Sequence, residues 1–294
     1  MDVDLRCFWT AKAGNTADEY EDAFCIATAR DRQRCRPNVA STVWPLWDAG
    51  ASLRLAIADG ASESSFSAVW AKLLVKSFCK SWDRQPPLEL VASDSKDAAA
   101  DDTLRGFERA AAIWDRCYGA RSMPWYAEQK RDMGAYAAFL GLKFDPPDKL
   151  PEVGRWAATA IGDACMFQFR HGSLLTAFPI DDADAFTQSP WLFASRQSAA
   201  SQSEHLRLLQ GEWRAGDEFL LLTDAAACWL LNGLHLRDAD PLGLFRSLRT
   251  QRDFEEWVAG QRSDIVNDRP RLRNDDVTII WCCISAEDSR GALR

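Results

Sequence analysis

Apolar and polar residues alternate along this 294-residue chain in patterns that predict short strands and amphipathic helices. The apolar run at residues 53–58 ends at Asp59 and Gly60, which indicates a buried strand that stops at a turn. Apolar residues then recur at helical spacing, so we expect an inward-packing helix from about residue 65 to 81. Its apolar face comprises Phe66, Trp70, Leu73, Leu74 and Phe78.

The middle of the chain changes from helical to strand-like periodicity. Residues 84–103 are polar and predict a surface connection, and a second helical pattern follows through Leu104, Phe107, Ala111 and Trp114. From Gly134 the pattern has a period of two, with β-forming residues at 135–140, 155–161 and 164–170. Three consecutive antiparallel strands are the simplest interpretation.

The last third of the chain returns to strongly apolar elements after an irregular segment. Residues 176–211 have no clean period, which predicts a flap or insertion. A buried strand at 219–223, a helix after Asp224, a helix around Trp257 and a final strand at 277–284 follow. Without repeats or regular βαβ alternation, we expect one domain, residues 1–294, built as an α+β sandwich of antiparallel sheets.

Charge and cysteine content narrow the function classes. The 43 acidic residues outnumber the 35 Lys and Arg, giving a net charge of −8, and this balance disfavours nucleic acid and anionic membranes as partners. The nine cysteines lack CxxC spacing, which is typical of reduced thiols. With no signal-like segment and no apolar stretch near 18 residues, we expect a cytoplasmic protein.

Aspartates stand at the ends of several predicted strands. Asp59 and Asp224 follow one strand each, Asp163 lies between two, and Asp275 precedes the last. Strand ends at one edge of a sandwich can converge, and converging carboxylates repel each other unless cations neutralise them. Oxygen-only ligands favour Mg²⁺ or Mn²⁺ over zinc, and two such ions can clamp a phosphoryl group. The competing interpretation is that these aspartates are ordinary turn residues at the ends of strands.

Other catalytic classes lack their motifs. The three histidines, His171, His205 and His235, share no metal-ligand spacing. No GxSxG elbow, Walker A sequence or GxGxxG loop occurs. Metal-assisted chemistry at the acidic residues is therefore the hypothesis with the most support.

Five short acidic motifs follow one another along the chain. They are Glu21-Asp22-Ala23, Ala58-Asp59-Gly60, Gly162-Asp163-Ala164, Thr223-Asp224-Ala225 and Asp275-Asp276-Val277. With these motifs in this order, the chain resembles, over essentially its whole length, the bacterial-like PP2C-type (PPM) metal-dependent serine/threonine protein phosphatases. The resemblance implies a four-layer αββα sandwich of two antiparallel β-sheets flanked by helices.

The resemblance also implies a role for each acidic position. Asp59 would bridge two Mg²⁺ or Mn²⁺ ions, Asp224 and Asp275 would complete one site, and the Gly60 carbonyl would serve the other. Asp163 with Asp224 would hold a third, weaker ion. The catalytic residues that the resemblance implies are Glu21, Asp22 and Asp59. Of these, Glu21 and Asp22 would hold metal-bound water and orient the nucleophile beside the bridging ligand Asp59.

The implied activity is hydrolysis of phosphoserine and phosphothreonine in proteins, opposite a Ser/Thr kinase and without a covalent phosphoenzyme. Ala17 stands where the family commonly has a phosphate-binding arginine, and Lys12 is a candidate substitute. The residues that follow Asp59-Gly60, Ala61-Ser62-Glu63, are a second departure from the family's pattern. They motivate an alternative, a catalytically weak pseudophosphatase acting as a regulatory phosphoprotein-binding module. A hydrolase of small phosphate esters is a third hypothesis.

Overall fold

Short strands and helices form the computed structural model of this protein. The structure describes residues 2–28, 42–45, 52–64, 66–80, 95–119, 124–145, 153–186, 189–235 and 240–285. The strands are β1 (Asp2–Thr10), β2 (Ala23–Thr28), β3 (Thr42–Pro45), β4 (Leu53–Gly60), β5 (Tyr136–Phe144), β6 (Val153–Ile161), β7 (Cys165–Arg170), β8 (Ser173–Phe178), β9 (Phe193–Ala194), β10 (Arg207–Arg214), β11 (Asp217–Leu222), β12 (Ile265–Val266), β13 (Arg269–Pro270) and β14 (Val277–Ser285).

The helices fall in two groups along the chain, one before β5 and one mostly after β11. They are α1 (Ser67–Cys79), α2 (Ser95–Trp114), α3 (Trp125–Met133), α4 (Ala199–Gln202), α5 (Asp224–His235), α6 (Pro241–Ser247) and α7 (Gln251–Ser263). Among the described residues, none of these helices has the length and apolar character needed to cross a membrane.

The strands form two large antiparallel sheets. The first has the order β3-β1-β14-β11-β7-β8, and the second has the order β10-β6-β5-β4-β2, with β9 paired to β5. A separate pair, β12 and β13, lies between α7 and β14. The prediction of antiparallel sheets is confirmed.

Each central strand is buried on both faces, which explains its continuous apolar sequence. In β4, Leu55 and Ile57 belong to the core between the two sheets, whereas Ala56 and Ala58 belong to the core under the helices. Strand β11 alternates in the same way, with Leu221 facing the other sheet. Small alanines on the outer face of β4 leave room for helices to approach closely.

Helices cover the outer face of each sheet and complete four layers. Helix α1 packs on β4, β2 and β5, and its Trp70, Leu74 and Phe78 are buried as the spacing predicted. On the other side, α5 and α7 pack on the first sheet through a core that includes Leu230 and Phe254. The four-layer αββα sandwich expected from the sequence is confirmed.

Of the three consecutive antiparallel strands expected from the sequence, the third does not lie in the same sheet as the first two, so that part of the expectation was wrong. Strands β5 and β6 pair, but β7 pairs with β8 and β11 in the other sheet. The chain crosses between the sheets at Gly162, whose φ of +95° favours glycine. A Cβ there would lie 2.5 Å from the Cβ of Ala138. Periodicity describes each strand but not which sheet it joins.

Residues 84–103 are not all a surface connection. Residues 81–94 lie outside the described part, but α2 already begins at Ser95, earlier than predicted. Asp102 and Thr103 are buried, and Asp102 forms an ion pair of 2.5 Å with Arg54 of β4. The polar pattern was misleading because these polar groups find partners inside the protein.

Residues 176–211, predicted as a flap or insertion, begin and end in sheet strands. Strand β8 extends to Phe178, and β10 starts at Arg207. Between them, the backbone N–H of Ala194 in β9 donates a 2.7 Å hydrogen bond to Gln202 Oε1. Both residues are buried, so this part of the segment packs against the second sheet.

We expect Asp102→Asn to lower the free energy of unfolding by about 3–5 kcal/mol, because it removes the negative charge from a buried ion pair with the Arg54 guanidinium. Arg54 is 1% exposed, so water cannot replace the lost carboxylate. Urea denaturation measures the loss. Asp101→Asn, on the exposed neighbour, is the matched control and should change stability by less than about 0.5 kcal/mol. Equal effects of the two variants would contradict the assignment.

Candidate metal centre

Three aspartates from distant parts of the chain meet at one edge of the sandwich. Asp59 is near the end of β4, Asp163 lies in the crossover from β6 to β7, and Asp224 begins α5 after β11. One carboxylate oxygen from each lies within 4.8 Å of the others. At an effective dielectric constant of about 20, each such pair of charges repels by about 3.5 kcal/mol. The cluster therefore needs compensating positive charge or protons.

Hydrogen bonds between strand ends hold Asp224 in position. The backbone N–H of Thr223 donates to the Thr278 carbonyl at 3.1 Å, and the N–H of Thr278 donates to the Thr223 hydroxyl at 2.9 Å. These bonds tie the end of β11 to the start of β14. As a result, the loop carrying Asp275 is fixed beside Asp224.

Asp275 lies next to the three-aspartate cluster without belonging to it. It is half-exposed, and its negative charge contributes to the raised pKa values of Asp59, Asp163 and Asp224. Its Oδ1 accepts a 3.0 Å hydrogen bond from the Asp276 backbone N–H. The structure thus groups three of the predicted metal ligands closely and sets the fourth at the rim.

Asp22 is fully buried beneath the cluster. Its Oδ2 accepts a 2.7 Å hydrogen bond from the Thr278 hydroxyl, which also contacts the Tyr20 hydroxyl. Its Oδ1 is buried and has no hydrogen-bond partner in the part of the chain that the structure describes. An unpartnered buried carboxylate oxygen is costly, so the position favours a cation or water beside it.

Glu21 and Gly60 are packed directly against each other. Glu21 Oε1 accepts a 2.6 Å hydrogen bond from Ser67 Oγ at the start of α1. A Cβ on Gly60 would lie 2.7 Å from the Glu21 carbonyl oxygen and 3.0 Å from Ser67. Any side chain at residue 60 would therefore push these two segments apart, which explains the glycine after Asp59.

Burial raises the pKa values of the clustered acids. For Asp22 and Asp59 burial comes first, followed by repulsion from neighbouring carboxylates, and both pKa values rise well above the usual range. Burial and Asp224 raise the pKa of Asp163 to about 7. Burial also raises the pKa of Asp224, although the positive charge of Arg273 opposes the rise. Without cations, burial and mutual repulsion therefore favour the protonated forms of these acids.

The donor set fits a hard divalent cation. All candidate ligands are carboxylate or carbonyl oxygens, which Mg²⁺ and Mn²⁺ prefer. Asp224 Oδ1, like Asp22 Oδ1, is buried without a hydrogen-bond partner among the described residues. Cations placed here would satisfy these oxygens and remove the repulsion between the carboxylates.

Asp276 has a structural role that sequence reasoning did not find. Its Oδ1 accepts from the backbone N–H of Lys12 at 2.8 Å, and its Oδ2 accepts from that of Glu21 at 2.6 Å. One carboxylate thereby anchors both ends of the segment between β1 and β2. An asparagine would offer only one acceptor oxygen, so the second carboxylate directly after Asp275 was the available signal in the sequence.

Arg273 is a second residue that the sequence interpretation missed. Its guanidinium pairs with Asp224 Oδ2, and its Nε lies 3.6 Å from Asp275 Oδ2. Nothing in the local pattern distinguishes it from other surface arginines. Its position at the cluster follows from the fold alone.

Ala17, at the position of the family's common arginine, begins an exposed 3₁₀ turn, Ala17–Glu19. Lys12, the candidate substitute, has its Nζ 3.5 Å from Ser62 Oγ, two residues beyond Gly60. A cavity of about 310 Å³ adjoins this loop and is lined by residues of the loop and of α7, including Lys12 and Arg262. The charged lining residues are Lys12, Arg262 and Glu255, so positive charge is in excess and Lys12 is a candidate phosphate contact.

A comparison with protein families matches residues 30–269 to the protein phosphatase 2C family. The matched span includes Asp59, Asp163 and Asp224, the three residues that converge. Glu21, Asp22 and Asp275 lie outside it. No curated protein matches the sequence.

Solved structures of bacterial phosphatases share the fold. The catalytic domain of the serine/threonine phosphatase PstP in complex with two manganese ions aligns with a TM-score of 0.53 at 17% identity, covering 97% of this chain and 100% of that chain. The Mycobacterium tuberculosis phosphatase PstP/Ppp aligns with a TM-score of 0.54 at 16% identity over 97% and 100% of the two chains. The S. agalactiae serine/threonine phosphatase gives 0.52 at 12% identity over 96% and 100%. At these identities the likeness concerns the fold.

Asp163→Asn should stabilise the protein in EDTA, and more so as pH rises. Because the folded pKa of Asp163 is about 7 and the unfolded pKa is near 3.9, the folded state holds the extra proton between these values. The unfolding free energy of the wild type therefore falls as pH rises between these two pKa values. The variant has no carboxyl group at residue 163 and does not show this fall. Urea unfolding at pH 5 and 7.5 should show its advantage growing by about 2 kcal/mol. A pH-independent difference would contradict the raised pKa.

Asp276→Asn should destabilise the protein by about 1–3 kcal/mol, because its amide nitrogen would face a backbone N–H donor. The same variant should loosen the segment between Lys12 and Glu21, which amide hydrogen exchange detects as lower protection there. Asp181→Asn, an exposed site with the same charge change, is the control. If exchange stays unchanged in that segment, Asp276 does not anchor it.

Proposed function

This chain belongs to the protein phosphatase 2C family, and from that premise we propose that it hydrolyses phosphoserine and phosphothreonine in proteins at a centre of two divalent cations. The observation that carries the proposal is the convergence of Asp59, Asp163 and Asp224 within 4.8 Å. The burial of Asp163 and Asp224, and the buried Asp224 Oδ1 without a hydrogen-bond partner among the described residues, favour cations over an ordinary surface turn. The predicted enzyme class, a metal-dependent phosphatase of this family, is confirmed by the family match.

The proposed ligands follow from the donors at the cluster. Asp59 would bridge two ions, with Asp224 and Asp275 completing one site and the Gly60 carbonyl serving the other. Asp163 with Asp224 would hold a third, weaker ion. Bound Mg²⁺ or Mn²⁺ supplies Lewis acidity toward phosphoryl oxygens and lowers the pKa of water at the centre.

Asp22 and Glu21 are proposed to orient the attacking water. Asp22 has one oxygen held by Thr278 and the other unpartnered among the described residues, so its carboxyl is fixed while one oxygen stays available. Glu21 is held by Ser67 and, through its backbone, by Asp276. Two fixed acids beside the cluster suit the positioning of a water and the acceptance of its proton.

Substrate binding is proposed to use the cationic residues next to the cluster. Lys12 and Arg262 line the adjoining cavity and would attract a phosphorylated peptide. We propose that residues 1–294 form one phosphatase domain, in which the part of 176–211 between strands β8 and β10 helps select the substrate. We further propose a cytoplasmic role opposite a Ser/Thr kinase. The pseudophosphatase alternative is not favoured, because every predicted ligand position keeps its carboxylate.

The deciding assay measures turnover of p-nitrophenyl phosphate and a phosphothreonine peptide, with Mn²⁺ or with EDTA. We expect Mn²⁺-dependent hydrolysis of both by the wild type. Asp59→Asn should lose more than about 100-fold in kcat/KM, because changes outside the ligand shell already cost 10–100-fold in such sites. Asp101→Asn, exposed on α2, is the matched charge control and should retain wild-type activity.

Each alternative result has a distinct meaning. The absence of metal-dependent turnover on both substrates would reject the proposal. Turnover of p-nitrophenyl phosphate alone would favour a hydrolase of small phosphate esters. Unchanged turnover in Asp59→Asn would show that the centre lies elsewhere.

A further inference from the structure

Arg273 brings a permanent positive charge to the acidic cluster. Its guanidinium pairs with Asp224 Oδ2 and lies 3.6 Å from Asp275 Oδ2. Its charge also lowers the pKa of Asp163, which places all three acids within its electrostatic reach. Because arginine does not deprotonate in proteins, this compensation persists at every physiological pH.

The other cationic side chains nearby contact groups outside the carboxylate cluster. Arg262 donates to the backbone carbonyls of Ala11 and Asp275, and Lys12 lies against Ser62. Among the salt bridges of the described residues, those of Arg273 are the ones that reach Asp224 or Asp275. The role of counter-ion to this side of the cluster therefore falls to Arg273.

A cation and this guanidinium need the same carboxylate. Asp224 has one oxygen occupied by Arg273, and the other is buried without a hydrogen-bond partner in the described part of the chain. A divalent ion held by Asp163 and Asp224 would lie within a few ångströms of the guanidinium and be repelled by it. Full ligation by Asp224 therefore favours departure of Arg273.

The surroundings let the side chain leave without moving the backbone. Arg273 is 48% exposed, so an alternative position in solvent is accessible. Its neighbour Asn274 is held to Ala13, with Asn274 Oδ1 accepting from the Ala13 N–H at 2.7 Å. Only side-chain rotation is required to open the carboxylate.

We propose that Arg273 is a built-in counter-ion that competes with a divalent cation for Asp224 and sets the metal affinity of the centre. In the cation-free protein it stabilises the cluster, and a bound ion displaces its guanidinium into solvent. The inference rests on the metal-binding part of the proposed function and adds a residue that tunes it.

Mn²⁺ titration calorimetry at pH 7.5 tests the competition without measuring activity. We expect Arg273→Gln to bind Mn²⁺ roughly 10-fold more tightly than the wild type, because the competing charge is gone. Arg273→Lys keeps the charge and should stay within about threefold of the wild type. Arg271→Gln is the matched control, since Arg271 pairs with Asp264 at 2.5 Å instead, and should change affinity less than about twofold.

The outcomes separate this inference from the proposed function. Mn²⁺ binding in the wild type with no tightening in Arg273→Gln, or equal tightening in Arg271→Gln, overturns the inference alone. Tightening in Arg273→Lys equal to that in Arg273→Gln also overturns it. Binding that appears only in Arg273→Gln supports it, and no Mn²⁺ binding in any variant rejects both proposals.

A measurement on the wild type covers the case in which Arg273→Gln does not fold. The Nε–H resonance of Arg273 can be assigned by its loss in Arg273→Lys and followed during Mg²⁺ titration. We expect the resonance to shift and broaden as the ion pair with Asp224 breaks. An unchanged resonance at saturating Mg²⁺ overturns the competition.

Discussion

The repulsion among buried carboxylates is the constraint on which the rest of this protein depends. Asp59, Asp163 and Asp224 are held within 4.8 Å by three separate elements, in an environment that raises their pKa values. Such an arrangement lowers stability unless protons, an arginine or metal ions compensate it. The fold has to supply the energy that keeps them together.

The double-sheet core supplies that energy. Central strands such as β4 and β11 bury side chains on both faces, and their ends are tied into ladders on either side. Because the backbone at these ends is fixed by packing that lies far from the acids, local repulsion cannot move the carboxylates apart. The crossover at Gly162 then brings Asp163 from one sheet to the other, next to Asp224.

Polar residues around the cluster join the loops that carry it. Asp276 fixes the segment that carries Lys12 and Glu21, while Thr278 holds Asp22. Arg273 balances part of the negative charge. These contacts connect the start of the chain to its last strand, so the centre is complete only when the N- and C-terminal parts have both folded.

The sequence by itself determined the strongly apolar strands β4, β5, β6, β7, β11 and β14, the main amphipathic helices and the acidic positions, because periodicity and strand-end residues are local properties. The sheet that β7 joins, the burial of Asp102 beside Arg54, and the positions of Asp276 and Arg273 were decided only by the tertiary structure. Each of these features depends on a partner that lies at least 45 residues away along the chain. A local pattern reports what a residue prefers, whereas a buried charge is explained by the partner that the fold places beside it.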